Sequence, residues 1–141
     1  MKIRSFTFAA ILVAISISGC ASSGITKHFP RNDDLENHAT VFVIRSNDSF
    51  AGAAVSVRVV LNGFVIGRLM PGKYFRFRIE PGHHHIGIIE SSVSINFEKG
   101  GSYFFKISPI FSLVQITFGF ERIEEDEGRK RVAKYRGVLG E

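Results

Sequence analysis

Four short runs near the middle of the chain constrain its fold more than any other stretch. Residues 64–69 (FVIGRL), 73–80 (KYFRFRIE), 84–90 (HHIGIIE) and 93–97 (VSINF) are set apart by Asn62-Gly63, Met70-Pro71-Gly72, Pro81-Gly82 and Ser91-Ser92. Apolar and polar residues alternate within them, as in strands with one face buried, and Asn-Gly and Pro-Gly pairs supply the dihedrals that tight turns require. The reading is a continuous antiparallel sheet. In 73–80 the inward set is Phe75, Phe77 and Ile79, and the outward set is Tyr74, Arg76, Arg78 and Glu80. A slip of one residue would bury two arginines, so the register is strongly specified.

Further strands extend the pattern. Residues 40–45 (TVFVIR) place four apolar side chains in a row, the mark of a strand buried on both faces. Residues 55–61 alternate cleanly up to the Asn-Gly turn, 103–108 continue the sheet and 113–120 supply a last strand. Seven to eight strands at this spacing predict an antiparallel β-sandwich. Helical character arises only in 121–136 (ERIEEDEGRKRVAKYR), where acids lead and bases follow. There Glu125–Arg129, Asp126–Lys130 and Glu127–Arg131 sit four apart. Gly128 weakens that helix by up to about 1 kcal/mol relative to alanine.

The first twenty residues follow another logic. Lys2 and Arg4 precede an apolar run, 6–17, too short to span a bilayer comfortably, and Ile17-Ser18-Gly19-Cys20 closes it. This segment resembles the signal peptide and lipobox of bacterial lipoproteins. The resemblance implies cleavage after residue 19 and covalent lipid on Cys20, the one cofactor-like group expected. A plain signal peptide cut nearby and a single spanning helix are the alternatives. Each buried methylene contributes about 0.8 kcal/mol, so two or more acyl chains hold a protein stably where one does not. Ala21 and Ser22 follow the cysteine, with no aspartate there. By resemblance to Gram-negative sorting rules, that favours the outer membrane, facing the periplasm. Residues 20–39 read as the lipidated amino terminus and a flexible tether, and 40–141 as the domain.

Charge and cysteine content narrow the function classes. Removing Lys2 and Arg4 takes the basic count from 18 to 16 against 13 acidic residues, a net of +3, which is far from a nucleic-acid footprint. Arg129-Lys130-Arg131 is nearly cancelled by the acids before it. With one cysteine no internal disulfide can form, so packing alone must hold the domain, and 14 phenylalanines suffice for a core.

No reactive constellation stands out. The chain has no Gly-x-Ser-x-Gly elbow, no His-Glu-x-x-His and no glycine loop leading into a helix. Glu80 and Glu90 read as a solvated face. His83, His84 and His85 alternate across a strand, so only His83 and His85 share a face, and zinc needs three or four protein ligands; no metal site is expected. The expectation is a non-catalytic binding or structural module. Tyr74, Arg76 and Arg78 make an aromatic and basic stripe suited to an envelope protein or an anionic envelope polymer. Phe50, in the small-residue loop 46–54, and Phe111, in the apolar loop 109–111, mark a partner surface if exposed. A small apolar ligand held between the sheets is the second binding reading, and an envelope enzyme of unrecognised type is the alternative outside binding.

A likeness rests on these residues. The succession FAGAAVS, LNG, IGRL, GKYF, PGHH and EEDEGRKRVAKYR resembles uncharacterised bacterial lipoprotein-type domains grouped as a family of unknown function. The middle segment also resembles PEGA-type surface β-domains, in which a short strand, a glycine turn and a Pro-Gly turn recur. Both likenesses imply a sandwich, and neither implies an activity.

Overall fold

A computed structural model describes residues 37–47 and 55–139. The strands are β1 (Ala39–Arg45), β2 (Val57–Leu61), β3 (Phe64–Leu69), β4 (Lys73–Ile79), β5 (Gly82–Ile88), β6 (Ser91–Phe97), β7 (Ser102–Phe111), β8 (Ile116–Ile123) and β9 (Arg136–Leu139). The helix α1 (Glu125–Lys134) precedes β9. Five strands form one sheet in the order β8-β7-β1-β4-β9, and four form the other in the order β3-β2-β5-β6.

Local chemistry made the β2–β3 hairpin as expected. Asn62 at φ 50° and Gly63 at φ 84° form the two-residue turn between β2 and β3, both left-handed as a type I′ turn requires. The continuous sheet through 62–97 does not form, however. After Met70-Pro71-Gly72 the chain leaves the four-stranded sheet, β4 pairs with β1 in the other, and β5 returns to pair with β2. A turn fixes reversal of direction, whereas the choice of pairing partner is made by burial, and Phe75, Phe77 and Ile79 need a facing sheet. Most pairings are antiparallel, but β1–β7 and β4–β9 are parallel. The β5–β6 turn falls at Ile89-Glu90, so Ser91 and Ser92 open a strand and do not form the turn.

The sandwich core lies between the sheets. Val41, Val43, Phe75, Phe77, Phe105, Ile107 and Phe120 face Val59, Leu69, Ile86, Ile88 and Phe97. Phe97 meets Tyr103 edge-on at 4.7 Å, and Phe105 stacks on Phe120 at 5.1 Å.

A second, smaller core explains the unbroken apolar run of β1. Ile44, Phe104, Ile123 and Tyr135, with Phe42, Tyr74 and Val132 half-buried, pack under α1 on the outer face of the five-stranded sheet. The helix begins later than expected because Glu121–Ile123 stay in β8, where Glu121 pairs with Lys106 at 2.7 Å. Its acids Glu125, Asp126 and Glu127 occupy the first turn and Arg131 and Lys134 the last, which complements the helix dipole. Glu125–Arg129 and Glu127–Arg131 form at 2.8 Å, each worth a few tenths of a kcal/mol on this surface.

Candidate functional site

The stripe on β4 lies on the helix-side face of the five-stranded sheet. Tyr74 is half-buried in the second core, its ring 6.3 Å from that of Phe42. Arg76 is exposed and its guanidinium lies over the Phe42 ring at 5.8 Å, where a cation is attracted to the π face. Arg78 is half-buried. On one side of β4 runs β9, with Tyr74 opposite Gly137 and Arg76 opposite Leu139. The outward-facing cations therefore sit beside an aromatic floor, an arrangement able to meet a planar carboxylate or a phosphate.

His83 and His85 are exposed on the outer face of β5. Between them His84 points the other way and is held at both nitrogens. The Asn62 amide nitrogen donates to Nδ1 at 2.9 Å, so Nε2 carries the proton and donates to the carbonyl of Glu80 at 3.1 Å. The backbone N–H of His85 donates to Asn62 Oδ1, and the N–H of Asn62 to the carbonyl of His85. This histidine fastens the β2–β3 turn to β5. Among the described residues, no three His, Cys, Asp or Glu side chains gather to hold a metal ion.

Arg45 was not singled out from the sequence. It is 2 % exposed at the end of β1, its Nη1 donating to the carbonyl of Leu69 at 2.8 Å and to that of Val55, with the guanidinium 4.8 Å over the Phe118 ring. Burial draws its pKa below the ordinary arginine value. A signal was present: Val41, Val43 and Arg45 fall on one face of the strand at period two, so the arginine is in phase with the core.

Phe111 is exposed, and its surroundings differ from expectation. Segment 109–111 is no loop but the end of β7, and Leu113 and Val114 stand at the apex of the β7–β8 turn instead of opening a strand. Among the described residues, a surface hollow of about 420 Å³ lies between Ser102, Phe104 and Arg122–Glu125. Cys20 and Phe50 lie outside the described residues. No helix among the described residues is long and apolar enough to cross a membrane.

These features define a small two-sheet β domain with a helix on one outer face and an exposed apolar hairpin. The chain belongs to the family described as "Protein of unknown function (DUF2846)", whose model matches residues 35–119, more than half of its length. The match ends within β8, so α1 and β9 lie beyond it. The chain is also 28% identical to an "Uncharacterized protein" of Haemophilus influenzae over 92% of its own length and 82% of that relative's. No solved structure matches it.

Proposed function

We propose that this protein is a lipid-anchored component of the bacterial envelope, a non-catalytic module that presents its β domain to an envelope partner. The observation that carries the reading is Ile17-Ser18-Gly19-Cys20, placed directly after a basic start and a short apolar run. Lipid on Cys20 is the only added group the reading calls for. The absence of aspartate after the cysteine favours the outer membrane, facing the periplasm, and the PEGA-like turn pattern fits a surface β-domain. A core filled by Phe75, Phe77, Phe97, Phe105 and Phe120 favours recognition at the surface over carriage of a ligand between the sheets.

In cells given labelled palmitate, the wild-type chain takes up label and the Cys20→Ala variant does not. Equal labelling of the two would refute the anchor. The contact surface proposed is Arg76 and Arg78 beside Tyr74, suited to an acidic envelope protein or polymer. A photoreactive residue at position 76 captures one discrete envelope species in intact cells. Replacement of Arg78 by glutamate removes that species, because an acidic partner no longer meets a cation there. Capture that survives the charge reversal would show that the cation is not what the partner reads.

A further inference from the structure

We propose that the apex of the β7–β8 hairpin is a membrane-insertion element, which seats Leu113 and Val114 below the head groups of an anionic phospholipid surface. From Ile107 to Phe120 the chain carries no charged side chain. The ribbon stays paired out to Phe111 opposite Ile116, yet burial ends at Ile107 on one strand and Phe120 on the other. Beyond them Ile110, Phe111 and Ile116 are exposed, and Leu113 and Val114 protrude almost completely, at 106% and 93%. Turns that face water favour Gly, Asn, Asp and Pro at such positions. Two branched aliphatics there suit a solvent that is not water.

Ser112 and Gln115 close the base of the same turn with bonds between their own polar groups. The Ser112 N–H and hydroxyl donate to the carbonyl of Gln115 at 3.1 and 2.8 Å, and the Gln115 N–H donates to the Ser112 hydroxyl at 3.1 Å. Internal pairing of backbone groups is what a hydrocarbon environment demands. Neighbouring residues on a strand point to opposite faces, so Ile110 and Phe111 clothe both sides of the ribbon. A protein pocket reads one shaped face with fixed polar contacts, whereas lipid accepts apolar surface on every side.

Charge complementarity favours the same occupant. Lys73 stands opposite the buried Arg45 at the end of β1 and opposite Arg136 on β9, so Lys73 and Arg136 lie at the hairpin's end of the domain, and the bond from Arg45 to Leu69 places the end of β3 there too. Arg58 and Arg68, paired and exposed, lie near it on the other sheet, and Val55 and Met70 are exposed there too. Cations around an apolar tip match anionic head groups. Phe111 is four residues past Ile107, roughly 13 Å along the strand, which exceeds the depth an interfacial element needs. The inference stands on the hairpin and not on Cys20. Ala39 enters at the opposite end of the domain, so the tip is a second membrane contact, separate from any anchor.

The chain contains no tryptophan, so Leu113→Trp places its one indole at the apex. The full chain is purified from cell membranes and reconstituted into phosphatidylcholine–phosphatidylglycerol vesicles carrying lipids brominated along the acyl chain. The expected result is blue-shifted emission that loses most of its intensity to the bromines. Phe64→Trp, exposed at the other end of the domain, keeps its intensity. Unshifted and unquenched emission from position 113 overturns the proposal by placing the tip in water. Blue-shifted but unquenched emission overturns it in favour of a second copy or another protein. Equal quenching at both positions overturns insertion by the hairpin in particular.

Discussion

Replacing Gly128 by alanine lowers the stability of the domain by about 2 kcal/mol, although alanine is the better helix former. Two effects compete at this position. Propensity alone favours alanine by up to about 1 kcal/mol. Against it, a β-carbon at 128 would lie 2.3 Å from Cγ and Cδ1 of Phe104 and 2.6 Å from its Cβ, far inside van der Waals contact. Phe104 cannot yield cheaply, being 2 % exposed and stacked on Phe42 at 4.7 Å with rings almost parallel. Its Cβ is tied to a strand paired on both sides, with Phe42 and with Ile123. The helix must therefore lift, and overpacking of a closed core costs about 1–3 kcal/mol, occasionally more. The steric term wins. Lifting α1 also draws on Tyr135, buried at its end, and through it on the parallel pairing of β9 with β4. Urea unfolding should show a lower midpoint with an unchanged slope, and hydrogen exchange should quicken first along β9. Adding Phe104→Leu to the alanine variant should recover part of the loss, since the two sites are coupled by contact. A Gly128→Ala protein as stable as the wild type would mean that the helix rests farther from the sheet than described.

That glycine shows where sequence reading stops. In a helical window Gly128 registers only as a weak helix former, because its reason for being there is a ring brought from β7, twenty-four positions earlier. Facing within a strand was readable, since alternation is local: Phe75, Phe77 and Ile79 point inward, and Val41 to Ile44 is buried on both sides. Which sheet a strand joins was not. Pro71-Gly72 announces a turn equally well whether the next strand pairs back or crosses to the facing layer. The same limit applies at the apolar hairpin. Segments 109–111 and 113–120 read as a loop and a strand by hydrophobicity, but register with β8 carries Pro109 and Phe111 into the ladder and leaves Leu113-Val114 at the turn. The β9 strand, only four residues long and following a helix, has no periodicity to read; the β4 edge supplies its reason. Of the surface features, the outward arginines of β4 were legible from alternation, whereas the aromatic floor beneath Arg76 depends on Phe42 from another strand.

Arg45→Met lowers stability by about 3 kcal/mol, and Arg45→Lys recovers little of it. Replacement of a buried charge by an apolar residue is often neutral when every partner is replaced as well. Here its partners include the main-chain carbonyls of Leu69 and Val55, which no substitution removes. Each loses its donor in a site closed by Phe118, at about 1–3 kcal/mol per group, and that outweighs the desolvation regained when the guanidinium leaves. Lysine keeps the charge but not the planar fork, so one ammonium cannot both reach the carbonyls of Leu69 and Val55 and lie flat over the Phe118 ring. The pH dependence follows from the direction of the pKa shift. A base whose folded pKa is depressed releases its proton first in the folded state, so stability tied to it changes only as pH approaches the arginine range, where deprotonation would favour folding. From about pH 5 to 9 the guanidinium is fully charged in both states, and the deficit of the methionine variant should stay constant across that window. Urea unfolding of the three proteins at several pH values measures both claims. A methionine variant matching the wild type would mean that water reaches the two carbonyls once the guanidinium is gone. The junction of β1, β3 and β8 would then be open to solvent, and the apolar hairpin that leaves it would lack a rigid base.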